Sequence, residues 1–331
     1  MELAILSILL VMISVRALVV RHSMVRPAGR IGSLLPFRAS SLSTYASAGF
    51  SFTTQQGRQV KVLGKINANH QNFATVTEEP EEAEILEEED FMDIVADAVR
   101  RAGPALIEGL GSDKGYAVVD EFLTPEWMNV LRREAVDFYK DGSFEVSKSS
   151  RFDPTSPDQL VTYDKHNVFA MQLNGGEDYY KGPRLHEYVV STVRAAVPLL
   201  GDAFPAAQLD SVLCSNKLAV CTGSGSAYDK HYDNAGYTDT RKVTILLYMN
   251  DWREEMGGQF RIFGKGDEIV DIEPHSGRLL AFWSDLCVHS VLPSEAPNGE
   301  SDHRYALTLW LTTKSPEFIV RDNEEIRRHF G

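Results

Sequence analysis

The sequence predicts an α+β fold: a double-stranded β-helix (jelly-roll) core with flanking helices packed outside. Three observations predict it. Amphipathic helical periods dominate the first part of the folded region, up to about residue 205. From residue 210 the texture changes to short apolar runs in quick succession. Turn signals separate those runs, namely Gly257-Gly258, "GKGD", "PHSG" and "APNG".

The elements follow in order. "FMDIVADAVRRAG" reads as an amphipathic helix stopped by Gly103-Pro104. "GYAVVDEFL" alternates and is β-branched, so it reads as a strand. "TPEWMNVLRREAVDFYKDG" starts a helix with Thr124 as N-cap and Pro125 at the first helical position, and stops near Gly142. "KSSRFDPTSPDQLVTYDKHN" is polar, carries two prolines and reads as a mobile loop. "LHEYVVSTVRAAVPLLG" is a second amphipathic helix. The strands expected after it are "KLAVCTG", "KVTILLYMN", "GQFRIFG", "EIVDIEP", "GRLLAFW", "VHSVLPS" and "RYALTLWLTT".

The 331 residues are 43% hydrophobic, enough for a substantial core. The net charge of −14 is concentrated in "EEPEEAEILEEED", a solvated spacer, and no basic patch suggests nucleic acid. Three Cys in no zinc pattern read as buried free thiols and exclude a disulfide framework. The N-terminus carries an apolar run, "LAILSILLVMISVRALVV", then a stretch rich in Arg and Ser with no acidic residue before Glu78. Three readings compete: two-step import into a complex plastid, a mitochondrial presequence beginning at Met24, and an anchor in the ER membrane. Membrane contact is expected only if residues 3–20 are retained. The domain expectation is a targeting segment over 1–75, an acidic linker over 76–90 and a folded domain over 91–331, its jelly-roll core at about 210–313.

The chemistry is carried by four residues. His231 and Asp233 stand two apart in "YDKHYDNAGY", ahead of the strand "KVTILLYMN". With nine His in the chain, a His-x-Asp arises easily by chance, so the rest of the pattern decides. His289 stands in "VHSVLPS" and Arg304 opens "RYALTLWLTT". Two imidazoles and a carboxylate on one face of an octahedral ion leave the opposite face open, the mark of non-haem Fe(II) oxygenases. Tyr232, between the first two ligands, points away because side chains alternate. 2-Oxoglutarate would chelate the open face, and its far carboxylate needs a cation such as the Arg304 guanidinium fork. The strand from Arg304 presents 304, 306, 308 and 310 on one face, so the Thr308 hydroxyl shares that side. O2 takes the last metal position.

The run from Leu218 to Thr312 resembles the prolyl 4-hydroxylase family of Fe(II)/2-oxoglutarate dioxygenases, and within it the hypoxia-inducible-factor prolyl hydroxylase branch. "HYDN", "VTILLYMNDW", "GGQFRIF", "DIEPHSGRLLAFWSD", "VHSVLPS" and "RYALTLW" carry the resemblance. A looser similarity extends upstream through "GYAVVDEFL" and "DGSFEVSKS". The resemblance implies that His231, Asp233 and His289 bind iron and that Arg304 binds the distal carboxylate of 2-oxoglutarate. It implies that Tyr228 lines the cosubstrate site and that Trp310 stands beside the iron pocket. Two positions depart from the branch. A Tyr that helps hold the distal carboxylate is Leu247 here, with Tyr248 on the other face, and a second site Tyr is Cys221.

The expected function is hydroxylation of a prolyl residue in a protein, with release of succinate and CO2 and with ascorbate keeping the iron reduced. The polar loop at 148–167 is the candidate lid. Two other readings are the same chemistry on a free amino acid or small metabolite, and a non-catalytic 2-oxoglutarate-binding module.

Overall fold

Asp90 caps the first described helix: its carboxylate accepts from Met92 N at 3.0 Å, and α1 runs Phe91–Gly111. The computed structural model describes residues 47–53, 59–65, 90–153, 156–234, 236, 238–320 and 323–330. The described residues fall in two units. In one, β1 (Ser47–Thr53) pairs antiparallel with β2 (Gln59–Lys65), an element the sequence reading did not place within 1–75. The apolar run, the Arg- and Ser-rich stretch and the acidic linker otherwise lie outside the described residues. Among the described residues no helix is long and apolar enough to cross a membrane.

In the other unit, the expected stop at Gly103-Pro104 does not occur, and α1 continues through it. Pro in a helix interior costs about 3 kcal/mol. The apolar stripe resumes beyond it, and burying Leu106 and Leu110 recovers roughly 3–6 kcal/mol. Gly109 is required for a different reason. An added Cβ there would lie 2.5 Å from Tyr116 O, so only Gly lets α1 rest on β3 (Tyr116–Val119). Pro125 opens α2 (Pro125–Lys140) as expected, although Thr124 makes no side-chain capping bond.

The polar stretch expected as a loop is a hairpin. β4 (Glu145–Asp153) pairs antiparallel with β5 (Ser156–Met171), and β5 continues the sheet onto β6 (Leu209–Cys221). Its Thr, Val and Tyr content suits a strand, and the open edge of β6 supplies backbone partners that polarity alone does not reveal. A short helix α3 (Glu177–Lys181) and the long α4 (Pro183–Ala203) follow.

The remaining strands are β7 (Ser226–His231), β8 (Arg241–Tyr248), β9 (Phe260–Phe263), β10 (Ile269–Ile272), β11 (Leu279–Trp283), β12 (Val288–Ser294) and β13 (Arg304–Thr313). Helix α5 (Asn323–Phe330) ends the described chain. Two antiparallel sheets form the jelly roll, in the orders β10-β9-β12-β7 and β3-β11-β8-β13-β6-β5-β4. The larger sheet thus takes three strands from ahead of the expected core.

Strand periodicity divides the interior in two. Val243, Ile245, Leu247, Leu307 and Leu309 face outward from the barrel and pack with the stripes of α1, α2 and α4. Leu246, Tyr248, Phe282 and Ala306 face inward, with Phe260 and Ile262 from the smaller sheet. The site lies between the sheets. Of the thiols expected to be buried, Cys221 and Cys287 are, whereas Cys214 is exposed.

Candidate metal centre

β7 and β12 are neighbours, and their register sets His231 directly opposite His289. The ring centroids are 4.3 Å apart. Asp233 lies in the bend just past β7 and turns its carboxylate between them. Asp233 Oδ1 is 3.6 Å from His231 Nε2 and 3.7 Å from His289 Nε2. One ligand atom from each of the three falls within 4.8 Å of the others. Tyr232 turns away, its ring 5.7 Å from Phe330.

The atoms that face away from this point are all engaged. His231 Nδ1 meets Asp229 O at 2.6 Å, and His289 Nδ1 meets Cys287 O at 3.1 Å. A carbonyl on Nδ1 assigns the ring proton there and leaves an Nε2 lone pair for a metal. Asp233 Oδ2 accepts from Thr244 Oγ1 at 2.7 Å and from Trp310 Nε1 at 3.0 Å, which leaves Oδ1 for the ion. Ser284 Oγ lies 2.8 Å from Thr244 Oγ1 and braces that hydroxyl. Burial opposes ionisation of Asp233, but the neighbouring His231 and His289 and the Thr244 hydroxyl hold its carboxyl well below the usual range. Burial, then the neighbouring His231, pulls the His289 imidazole down to about 4, so it stays neutral at ordinary pH, the form a metal needs. Phe260 stacks on His289 at 4.7 Å and Phe282 flanks it at 4.9 Å. Two nitrogens and one carboxylate oxygen, free on one side and braced on the other, fit a divalent iron with open positions.

Deeper in the barrel, Arg304 is 6% exposed. β13 pairs it with Cys221, whose Sγ is 3.9 Å from Arg304 Nη1. The guanidinium carbon lies 5.1 Å from the Tyr248 ring centroid. Arg304 Nε and the Tyr248 hydroxyl are buried without a well-formed protein hydrogen bond. A buried cation and a buried hydroxyl left open side by side fit the carboxylate of a bound acid such as 2-oxoglutarate.

Leu247, expected to line the pocket, is a correction. It pairs with Leu307 and Leu279 on the helix-facing side, and Tyr248 takes the interior position. Thr244 points inward to Asp233, and a period of two carries 246 and 248 inward with it. Thr308 lies on the Arg304 face, buried, opposite Lys217 and Leu246. Tyr228 lies on β7 with Lys165 Nζ 4.0 Å from its ring centroid. Trp310 does more than line the pocket, since it holds a ligand oxygen. Sequence reasoning missed Thr244, Ser284, Tyr248, Lys165 and Lys217. Thr244 and Lys217 left a signal, each being a polar residue at an inward position of an apolar strand.

Residues 217–312 match the 2OG-Fe(II) oxygenase superfamily. The chain is 28% identical over 212 residues to a hypoxia-inducible factor prolyl hydroxylase of Caenorhabditis elegans, spanning 61% of this chain and 27% of that protein. It is 41% identical over 121 residues to prolyl hydroxylase EGLN3 of Homo sapiens, spanning 35% of this chain and 45% of that protein. The chain thus spans less than half the length of either relative. Among solved structures it is similar to a prolyl 4-hydroxylase from Phytophthora capsici, with a TM-score of 0.54, 27% identity and 73% of each chain covered. Fold, ligand set and sequence match agree on the 2OG-Fe(II) oxygenase superfamily as what residues 217–312 resemble.

Proposed function

We propose that the chain is an Fe(II)- and 2-oxoglutarate-dependent dioxygenase that hydroxylates a prolyl residue of a protein. The observation that carries this reading is the convergence of His231 Nε2 and His289 Nε2 on Asp233 Oδ1, with every opposing atom engaged. When bound, the iron supplies activation of O2, coupled to oxidation of 2-oxoglutarate to succinate and CO2 and to insertion of one oxygen atom into a C–H bond. The chain's own residues bind and orient. The carbonyls of Asp229 and Cys287 fix the imidazole tautomers. Thr244 and Trp310 hold Asp233 in one rotamer, with Oδ1 toward the ion. Arg304 and Tyr248 take the distal carboxylate of the cosubstrate, and Phe260 and Phe282 keep water from His289. The prolyl substrate is supported by similarity to proteins named prolyl hydroxylases. Ascorbate would serve as the reductant that returns oxidised iron to Fe(II).

The test uses the full chain, loaded with Fe(II) without oxygen and given a panel of proline-containing peptides and free proline. Peptide-dependent conversion of 2-oxoglutarate to succinate is expected, with a peptide heavier by one oxygen atom. His231→Ala and Arg304→Ala should lose both. Turnover on free proline alone would move the substrate to small molecules, and none despite bound iron would reject the enzyme.

We further propose that residues 1–75 are a targeting segment for a plastid or mitochondrion, supported by the apolar run and by the Arg-rich stretch without acidic residues. Fusion of residues 1–75 to a fluorescent protein tests it, and a diffuse cytosolic signal would reject it.

A further inference from the structure

Two ammonium groups meet over one ring at the mouth of the metal centre. Lys165 Nζ in β5 lies 4.0 Å from the Tyr228 ring centroid, and Lys217 Nζ in β6 lies 5.3 Å from it. Tyr228 is three residues before the ligand His231 on the same strand. Both lysines are partly buried. Lys217 donates to Ser147 Oγ at 3.1 Å. Among the described residues neither lysine is within ion-pair distance of a carboxylate, unlike Lys140, Lys181, Lys242 and Lys265. Both feel the charge of Asp233, and Lys165 also that of Asp229, but Asp233 is committed to His231, His289, Thr244 and Trp310, and Asp229 accepts from the Tyr163 hydroxyl.

Here two like charges are held together and half desolvated, an arrangement that costs free energy until an anion arrives. A cleft adjoins the pair on the Lys217 side. Lys217 and Trp310 line one cleft of about 720 Å³, and Trp310 reaches from it to Asp233 Oδ2. Glu145 and Asp178 also line that cleft, so it is no general sink for anions.

We propose that Lys165 and Lys217 form a carboxylate-recognition pair that holds an acidic group of the substrate beside the carbon to be oxidised. The inference rests on the oxygenase reading above. The carboxylate has two possible sources: an Asp or Glu side chain flanking the target residue of a peptide, or the free carboxylate of a small substrate. Arg304, on β13 opposite Cys221, serves the cosubstrate and leaves this pair free for the substrate.

The test is equilibrium binding to the full chain loaded with Zn(II) and 2-oxoglutarate, which holds the site without turnover. The probes are two fluorescent proline-containing peptides that differ only in Asp or Asn beside the proline, and N-acetylproline as an unlabelled competitor. The 2-oxoglutarate affinity is measured first, and its absence would reject the oxygenase reading separately. The pair predicts about tenfold tighter binding of the Asp peptide, or competition by N-acetylproline if the source is a small molecule. Lys165→Met/Lys217→Met should abolish that preference with 2-oxoglutarate affinity unchanged, and Lys165→Arg/Lys217→Arg should retain it. Lys165→Glu should reverse it, the Asn peptide then binding more tightly than the Asp peptide. Equal binding of Asp and Asn peptides without competition by N-acetylproline, or a preference that survives in the double Met variant, overturns the proposal. A loss of 2-oxoglutarate affinity in that variant also overturns it, since the pair would then serve the cosubstrate.

Discussion

At the residue scale, Trp310 shows how a ligand is held by what lies behind it. Its indole N–H occupies Asp233 Oδ2 and so directs Oδ1 to the ion. Trp310→Phe keeps an aromatic ring and removes only the donor. Removing such a partner commonly weakens metal binding by about 10–100-fold. The expected result is a fall of about tenfold in Zn(II) affinity by competition titration, with Thr244 still in place. Lys165 makes a prediction of the opposite kind, on stability. Burial, then the charge of Lys217, lowers its pKa from 10.5 to about 8. The unfolded chain therefore holds this proton more tightly than the folded protein. Below about pH 8 the cost of the buried charge is present in full, and it is relieved as the pH rises from 8 to 10.5. Lys165→Met should stabilise the protein at pH 7 by about 1 kcal/mol, the full value being cut by partial exposure. By pH 10 the gain should be nearly gone, as thermal melts at the two pH values will show.

At the scale of elements, a buried ion pair fastens the chain past β13 to the barrel. Lys242 Nζ donates to Asp285 Oδ2 at 2.7 Å and to Phe318 O at 3.0 Å, and Val320 N donates to the same carboxylate oxygen at 2.7 Å. Lys242→Met leaves Asp285 buried and uncompensated. A loss of about 3–5 kcal/mol is expected by denaturant unfolding. Lys242→Met with Asp285→Leu should cost less than the single change, because no lone charge remains. Nothing local marks Lys242 for this role, since it stands beside Val243 at the start of an apolar strand. The same limit explains α1 and the β4–β5 hairpin, where sequence and structure differ. α1 passes through Pro104 because long-range burial outweighs one lost hydrogen bond. β4 and β5 form because the edge of β6 accepts a partner, which a polar sequence does not exclude. The later strands were legible because turns punctuate them and their alternation is strong.

For the whole molecule, the metal site ties the two sheets together. His231 and His289 lie on the smaller sheet, and Thr244 and Trp310, which hold Asp233, lie on the larger. A ligand that binds only this assembled site stabilises the fold by mass action. At 100 times its dissociation constant the gain is about 2.7 kcal/mol. Mn(II) with 2-oxoglutarate should therefore raise the melting temperature by several degrees, and a chelator should reverse it. His231→Ala should melt at one temperature with or without the metal. A shift that persists in that variant would place the binding elsewhere.

The amino-acid sequence by itself determined most of the strands after residue 210, the alternation along them and the positions of His231, Asp233, His289 and Arg304. These are local patterns or fixed spacings, and each is readable before any contact is known. Only the tertiary structure decided which atoms of those residues are free. The carbonyls of Asp229 and Cys287, the hydroxyl of Thr244 and the indole of Trp310 select the metal-facing atoms from four separate places in the chain. It also decided that Tyr248 rather than Leu247 faces Arg304, because strand phase is set by the whole sheet. Lys165 and Lys217 meet for the same reason: they are distant in sequence, and adjacent strands bring them to one ring.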